Sequence, residues 1–210
     1  MANVWLLSER QKTIDTHLRC AANYYGHITP RAFLSLFNKH NEEKLLKAEL
    51  MKYWNKLMRQ QDRNYVLYDN AIISSRVKLY KIDGIMHYQE GKNFFIPPKE
   101  EFLKYIDDYY YEKNEYTESV RDFFIKVLKI NRFTAETLLS KLVWSIKTEE
   151  DTSACMEFLA ENGIEWESIK QANQFMGLYQ NLANNTKKWA NCGYSPNEMH
   201  EGFYQKQRFY

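Results

Sequence analysis

Apolar residues recur at helical spacing through the first part of the chain. The pattern predicts a first helix that begins after the cap residue Ser8, with Gln11 in the position that completes a capping box, and that reaches about Tyr25. Gly26 is placed to end it, because glycine readily adopts the left-handed conformation that closes a helix. The apolar stripe of this helix consists of Ile14, Leu18, Ala21, Ala22 and Tyr25.

Two further helices are predicted from the residues that begin them. Thr29 followed by Pro30 is the favoured order at a helix N-terminus, and Asn41 is a cap residue before a third helix over residues 42–60. The residues predicted to be buried are Phe33, Leu34, Leu36 and Phe37 in the second helix and Leu46, Leu50, Tyr53, Trp54 and Leu57 in the third.

A change from helical to alternating periodicity follows the third helix. The β-prone runs Tyr65–Tyr68 and Ala71–Ser74 flank the turn-forming pair Asp69-Asn70, which predicts a short β-hairpin. Three helices followed by a hairpin is the element order of a winged helix-turn-helix. The sequence therefore predicts a mainly α fold with a winged-helix-like N-terminal module, although many such modules contact proteins rather than DNA.

Helix-breaking residues are concentrated between residues 82 and 98, where Gly84, Gly91 and the Pro97-Pro98 pair occur. We place the domain boundary there, with a winged-helix-like basic module over residues 1–92 and a helical domain over residues 93–210. The helices predicted in the second domain cover residues 99–111, 115–130, 134–147, 151–162 and 166–188, with Gly163 placed to end the fourth.

Positive side chains are concentrated on one side of the third helix. At about 100° per residue, four of them fall within roughly 60° of one another, opposite the apolar stripe. Such a basic ridge suits contact with phosphates, and residues after the hairpin would extend it to a flanking phosphate. The same charges are also typical of the solvated face of an amphipathic helix, or of a surface that binds an acidic protein. The candidate binding residues are Lys52, Lys56, Arg59 and Arg63 in the ridge and Arg76 and Lys78 after the hairpin.

The net charge of +2 conceals an asymmetry along the chain. Residues 1–92 contain fifteen Lys and Arg against nine Asp and Glu, a net +6. Residues 93–170 contain ten against sixteen, a net −6. The basic and acidic parts therefore have different partners, or they contact each other.

A run of tyrosines and carboxylates stands early in the acidic part. Aromatics make up 16% of the chain, and tyrosine is common at contact surfaces because one end of its ring is apolar and the other polar. The run is either a surface for a basic partner or the end of an amphipathic helix with half-buried rings, and the second interpretation is favoured. The protein-contact candidates are Asp107, Asp108, Tyr109, Tyr110 and Tyr111.

The sequence contains no signature of catalysis. A Gly-rich phosphate loop, a GxSxG elbow and an HExxH motif are all absent. His17 and Cys20, one helical turn apart, lack partners at metal-ligand spacing. Asp83 with Glu90 and Lys92 has the residue types of a magnesium-dependent nuclease, but that site needs adjacent strands, and we predict a connector here. The sequence thus predicts no enzyme, no metal, no cofactor and no small-molecule substrate.

The cysteines and the hydropathy pattern bear on the compartment. Cys20, Cys155 and Cys192 are odd in number and far apart, which predicts free thiols in a reducing, cytoplasmic setting. No run of 18 apolar residues occurs, and the N-terminus lacks the basic region of a signal peptide, so no membrane partner is predicted.

The C-terminal block, residues 184–198, is rich in helix punctuation. Gly193 can end one helix, Ser195-Pro196 with Glu198 can cap the next, and Trp189 can hold this corner against the body. Its sequence is Asn-Asn-Thr-Lys-Lys-Trp-Ala-Asn-Cys-Gly-Tyr-Ser-Pro-Asn-Glu.

This block resembles an Asn-Asn-Thr-Arg-x-Trp-x-Asn-x-Gly-x-Thr-Pro-x-Glu pattern in uncharacterised proteins of Gram-positive bacteria and their mobile elements, with a lysine and Ser195 in place of the usual Arg and Thr. Residues 21–26 and 93–102 also look like that group. Many of its members end in a zinc-binding SEC-C motif, but the cysteine-rich tail does not occur in this sequence, so zinc binding is not implied. The resemblance implies origin and architecture and no particular activity.

Together these features predict a non-enzymatic binding protein. The leading interpretation is a nucleic-acid-associated regulator that uses the basic helix and the hairpin, with a helical domain for protein contact or dimerisation. The alternative is a phage- or plasmid-encoded inhibitor, similar in role to an anti-CRISPR protein, that binds a host nucleoprotein through protein–protein contact. No base-reading residue is assigned, so DNA, RNA and protein partners all stay open.

Overall fold

The computed structural model describes residues 7–57, 63–68, 71–77, 79–148 and 152–200, of which residues 57 and 79–81 are described in backbone only. Within these residues the protein is mainly helical, with one small antiparallel sheet of three strands. No helix in this part of the chain is long and apolar enough to cross a membrane. The chain divides into two compact units, Met1–Tyr110 and Tyr111–Tyr210.

The first unit contains the elements that the N-terminal pattern predicts, together with additional ones. A 3-10 turn, Lys104–Ile106, ends its last helix. The helices are α1 (Glu9–Tyr25), α2 (Pro30–His40), α3 (Lys47–Leu57), α4 (Leu79–Gln89) and α5 (Lys99–Leu103), and the strands are β1 (His27–Ile28), β2 (Tyr65–Tyr68) and β3 (Ala71–Ser74).

The predicted starts of the first two helices are confirmed. The Ser8 hydroxyl accepts from the Gln11 backbone N–H, and the Gln11 side chain accepts from the Ser8 N–H, each at 3.3 Å. Gly26 ends α1 with φ 69°, and Thr29 Oγ1 accepts from the N–H of Ala32 at 3.3 Å. These ends satisfy their own backbone donors with local side chains, which is why short sequence signals are sufficient to place them.

The third helix begins later than the sequence predicts. Asn41 ends α2 instead of starting α3, because its N–H and its side-chain Nδ2 both donate to the Phe37 carbonyl at 3.0 Å. Residues 42–46 are not helical. The Asn38 side chain holds them in that form by binding both backbone groups of Leu45, at 2.7 and 3.1 Å.

Burial in the second and third helices follows the predicted stripes at most positions. Leu46 lies before α3 and is 68% exposed, and Leu34 is only partly buried at the edge of the core. The side chain of Leu57 lies outside the described residues. The buried members of the two stripes are Phe33, Leu36, Phe37, Leu50, Tyr53 and Trp54.

The predicted hairpin is confirmed, and a third strand joins it. Strands β2 and β3 pair antiparallel from Tyr65 opposite Ser74 to Tyr68 opposite Ala71, and the pair Asp69-Asn70 lies outside the described residues. Strand β1 pairs with the other edge of β3, so the order is β1-β3-β2 and β3 is buried along its length. A strand of two residues carries no alternating pattern, which is why the sequence does not indicate it.

The structure places the division between the units after Tyr110 rather than after residue 92. Helix α4 occupies residues 82–89 of the segment 82–98 that is predicted as a connector. Residues 93–110 belong to the first unit because their aromatic side chains complete its core, where Phe102 and Tyr105 are buried and Phe94 packs against Tyr25. Gly91 follows the end of α4 and Pro98 precedes the start of α5, whereas Gly84 lies inside α4, so these residues do not mark a linker.

The second unit consists of helices and short connections in its described residues. Each helix matches a predicted one, and Gly163 after α8 has φ 78°, as the end of a helix requires. The helices are α6 (Glu115–Asp122), which continues as a π-helical turn (Phe123–Val127), α7 (Arg132–Lys147), α8 (Thr152–Glu161), α9 (Ile169–Asn185) and a helix that begins at residue 196. The core includes Val120, Phe123, Phe124, Leu138, Leu142, Phe175 and Leu182.

The C-terminal block forms the structural corner that its punctuation predicts. Trp189 is 1% exposed and packs edge-on against Trp144, with ring centroids 5.1 Å apart. The Ser195 N–H donates to the Glu198 carboxylate at 2.8 Å, and the Glu198 N–H donates to the Ser195 hydroxyl at 3.3 Å. Gly193 adopts φ 84° but does not end a helix, because α9 already ends at Asn185.

Candidate nucleic-acid interface

Helix α3 is held in the first unit by three large side chains on one face. Leu50, Tyr53 and Trp54 are buried in the core, with the tryptophan 7% exposed. Burial of such side chains contributes about 1.5–3 kcal/mol each, enough to fix the rotation of a short helix. The opposite face of α3 therefore points outward as a rigid surface.

Arg10 of α1 fixes the start of α3. Its guanidinium donates to both carboxylate oxygens of Glu49 at 3.1 Å and to the carbonyls of Glu43 and Lys44 at 3.0 Å. The hydrogen bond with Glu49 raises the pKa of Arg10. A bidentate contact of this kind is geometrically specific, and Arg10 also lies over the Phe37 ring at 5.4 Å. Sequence patterns gave no signal for this clamp, because its partners are far apart along the chain.

The outer face of α3 is a polar surface with two cations and one amide. We define it as Lys47, Ala48, Lys52 and Asn55, all of which are exposed. Projected at about 100° per residue, Asn55 lies between the two lysines. Lys56 lies at the border, partly buried, and donates to the Gln11 side chain at 3.3 Å.

The basic ridge predicted from the sequence is only partly present. Lys52 is exposed and Lys56 is half-buried, and Arg59 lies outside the described residues. Lys47 and Asn55 are not among the predicted residues, because Lys47 projects about 140° from Lys52 at 100° per residue and Asn55 carries no charge. The exposed pattern on α3 is the signal that identifies both of them.

The prediction that Arg63 contributes to the surface ridge is wrong. Its side chain is 8% exposed and forms an ion pair with Asp15, and it donates to the Tyr65 hydroxyl at 2.7 Å. The Tyr65 hydroxyl in turn donates to Asp15 at 2.8 Å, and Arg19 donates to the same carboxylate at 3.0 Å. Burial raises the pKa of Tyr65, so its hydroxyl remains a donor. Arg63 therefore connects β2 to α1 inside the first unit.

Arg76 binds the acidic segment of its own chain. The guanidinium donates to the carbonyl of Asp108 and lies 5.3 Å from the centre of the Tyr109 ring. Burial lowers the pKa of Arg76. The Asp108 carboxylate accepts from the side-chain amides of Asn23 at 2.8 Å and Asn64 at 2.9 Å. A predicted basic residue and a predicted acidic segment thus contact each other, while Lys78 lies outside the described residues.

The five protein-contact candidates differ in exposure and in the contacts they make. Asp108 is bound to side chains of the first unit, and Tyr110 packs against Tyr105 at 4.9 Å between ring centres. Tyr111 belongs to the second unit, where its hydroxyl donates to Glu136 at 2.5 Å. Only Asp107 and Tyr109 are exposed, Tyr109 by 74%.

No group of three or more His, Cys, Asp or Glu side chains among the described residues is arranged to hold a metal. Cys20 is buried, and burial raises the pKa of its thiol to about 12. Asp83 lies on helix α4, and Glu90 and Lys92 follow in the turn after it. These three residues therefore do not stand on adjacent strands, which the nuclease arrangement would need.

Burial keeps His17 neutral. Its Nδ1 lies 2.8 Å from the Thr13 carbonyl, and its Nε2 lies 3.2 Å from the Asn41 side-chain amide. Burial lowers the pKa of His17 to about 4, and it also lowers the pKa of His27 and His40. Histidine in an unfolded chain has a pKa of about 6.5. Between pH 6.5 and about 4, His17 is protonated in the unfolded state and neutral in the folded state. The free energy of unfolding therefore decreases as the pH falls through this range.

Replacing His17 with phenylalanine is expected to flatten this pH dependence. A single histidine with such a shift contributes up to about 2 kcal/mol to the difference in unfolding free energy between pH 6.5 and 5. Urea unfolding at the two pH values measures that difference, and the variant of the exposed His87, His87→Phe, is the matched control. Equal losses in the wild type and in His17→Phe would contradict the assignment.

Of the predicted binding residues, Lys52 lies exposed on the outer face of α3, where Lys47 and Asn55 join it. Arg63 and Arg76 serve internal contacts, and the acidic segment is largely bound to its own unit. No protein-family model, curated protein or solved structure matches this chain. A proposal for its function therefore rests on the geometry of this face.

Proposed function

We propose that this protein binds nucleic acid through the outer face of α3, as a binding protein rather than an enzyme. The observation that carries the proposal is the exposed set of Lys47, Lys52 and Asn55 on a helix whose other face is buried. An α-helix with its side chains is about 10–12 Å across, which suits the width of about 12 Å of a DNA major groove. Lysines contact phosphates, and an asparagine side chain is the usual partner of an adenine edge.

The finer part of the proposal is that the first unit is a winged-helix module. Its support is the element order α1-β1-α2-α3-β2-β3, with the sheet order β1-β3-β2. In such a module the third helix enters the groove and the hairpin after it contacts the backbone beside it. Val66 and Tyr68 on the edge strand β2 are 48% and 65% exposed, and a tyrosine hydroxyl there is a suitable phosphate donor.

A salt titration with the wild-type protein tests the proposal. The two exposed lysines predict that the logarithm of the affinity falls against the logarithm of salt concentration with a slope of about −1.8 on duplex DNA. Fluorescence anisotropy with a labelled duplex and the matching single strand measures it. Absence of binding at about 50 mM salt, or a slope near zero, would overturn the proposal.

A second candidate function is inhibition of a host nucleoprotein by protein–protein contact. The observation in its favour is the exposure of Tyr109 beside Asp107, with the Tyr109 ring held under Arg76. A preordered aromatic side chain with a carboxylate next to it suits a basic protein surface. A pull-down with nuclease-treated host extract tests this function. One partner retained by the wild type and lost with Tyr109→Ala would support it over nucleic-acid binding.

A further inference from the structure

A cleft in the first unit shares no lining residue with the outer face of α3. Its walls are the first turns of α2, the C-terminal end of α4 and the chain from Glu90 to Ile96. Its volume is about 930 Å³. This volume falls in the range of pockets that bind small organic molecules and is far larger than a simple inorganic ion requires.

The floor of the cleft contains a buried histidine, His27, and only one of its two ring nitrogens forms a hydrogen bond in the part of the chain that the structure describes. His27 and Gln89 are each 5% exposed, and His27 Nδ1 lies 2.6 Å from Gln89 Oε1. The Gln89 amide nitrogen donates to the carbonyls of Tyr25 and His27 at 3.2 Å, so the Gln89 oxygen is the acceptor for His27. His27 Nδ1 therefore carries the proton, and Nε2 is an acceptor.

No hydrogen-bond donor from the described residues reaches His27 Nε2, although the histidine is almost wholly buried. Burial also lowers the pKa of His27, so the ring stays neutral and Nε2 keeps its lone pair. The Nε2 atom is not one of the fully buried side-chain atoms that lack a partner, so it is open to solvent. Because His27 lines the cleft, a ligand that donates an O–H or N–H would satisfy it.

The rim of the cleft favours a negative charge. Arg31 in the first turn of α2 is exposed, and within the described residues no carboxylate forms an ion pair with it. The N-terminus of this eleven-residue helix adds the positive end of its dipole. Lys92 is a second cation in the lining against the one carboxylate of Glu90, so the lining carries net positive charge.

Part of the remaining wall is apolar and is held in place. Met86, Phe94 and Ile96 line the cleft. The Tyr25 hydroxyl donates to the Phe95 carbonyl at 2.5 Å, and the Phe94 ring packs edge-on against Tyr25 at 5.3 Å. The cleft is therefore preformed, and it offers an apolar surface to the body of a ligand whose charged end lies at Arg31.

We propose that this cleft binds a nucleoside monophosphate. The phosphate lies at Arg31 and the first turn of α2, a ribose O–H or base N–H donates to His27 Nε2, and the base packs against Phe94 and Met86. Inorganic phosphate would leave the floor and the apolar walls without contacts, and a nucleoside without phosphate would leave the cationic rim without a partner. This proposal does not rest on nucleic-acid binding by α3.

Isothermal titration calorimetry with AMP, GMP, CMP and UMP tests the proposal on the full chain. At least one of them is expected to bind at least tenfold more tightly than both its parent nucleoside and inorganic phosphate. Binding of phosphate alone with equal affinity would overturn the nucleoside part, and no binding of any of the four up to about 1 mM, a weak-affinity limit, would overturn the whole proposal.

Variants and a spectroscopic signal locate the ligand. Arg31→Gln is expected to weaken nucleotide binding at least tenfold, whereas Lys39→Gln, an exposed cation in the last turn of the same helix, should leave it unchanged. In protein with labelled histidine, the ¹⁵N resonance of His27 Nε2 should shift on addition of the nucleotide. Nucleotide binding without that shift would overturn the contact. Lys52→Glu should bind the nucleotide normally, which separates this test from that of the α3 interface.

Discussion

Replacing Asp15 with alanine is expected to destabilise the first unit by about 3–5 kcal/mol. The Asp15 carboxylate receives Arg63, Arg19 and the Tyr65 hydroxyl, and the Arg63 side chain is only 8% exposed. Without Asp15 the buried Arg63 guanidinium loses the carboxylate with which it forms an ion pair. Arg19 is one-third exposed and can turn to water, so the cost comes mainly from Arg63.

Hydrogen exchange measures this loss within the first unit, since the two units need not unfold together. Peptides from α1 and β2 should exchange faster in Asp15→Ala, and those from α7 and α9 should not change. Glu101→Ala is the matched control, because it removes a carboxylate from an exposed pair with Lys104 and should cost less than about 1 kcal/mol. A double variant, Asp15→Leu with Arg63→Leu, should recover much of the stability. A loss below about 1 kcal/mol in Asp15→Ala would contradict the buried pair.

Local signals in the sequence predict the boundaries of several elements correctly. Ser8 with Gln11 and the Thr29-Pro30 pair place the starts of α1 and α2, since each of these signals and its hydrogen-bond partners lie within one turn of the chain. The hairpin is predicted for the same reason, because both strands and the turn between them are contiguous. Helix α3 was misplaced because Asn38 reaches Leu45 across a loop, and a cap residue such as Asn41 serves either end of a helix.

Charge along the sequence gives little information about the candidate site, whereas the capping signals place the helices. An arginine has the same spacing whether it contacts water or a buried carboxylate, and only the fold brings Asp15 to Arg63, 48 positions away in the sequence. The same holds for Arg76, which meets Asp108 because residues 93–110 pack onto the first unit. The cleft at His27 has no sequence signal, because its lining combines β1, α2 and the chain after α4.

These internal contacts decide which variants can test the interface. Reversing the charge of Arg63 or Arg76 would disturb the fold, so a loss of nucleic-acid binding in those variants would not distinguish a surface contact from unfolding. Lys47 and Lys52 are exposed on the outer face of α3, and replacing them leaves the buried Leu50 and Trp54 unchanged. A charge reversal there changes the field of the surface without changing the core.

The double variant Lys47→Glu with Lys52→Glu is expected to lose at least tenfold in affinity for duplex DNA at about 50 mM salt, with a salt slope near zero, because two phosphate contacts of about 0.9 each are removed. The matched control is Arg132→Glu with Lys170→Glu, which makes the same change in net charge at exposed positions of the second unit and should bind like the wild type. Asn55→Ala separates the two roles of the face. It should keep the salt slope and reduce the preference among duplex sequences by about 1–3 kcal/mol, because the asparagine contacts a base edge and not a phosphate. Anisotropy titrations of these proteins with duplexes of varied sequence measure both effects. An equal loss in the control would mean that overall charge and not the outer face of α3 attracts the DNA.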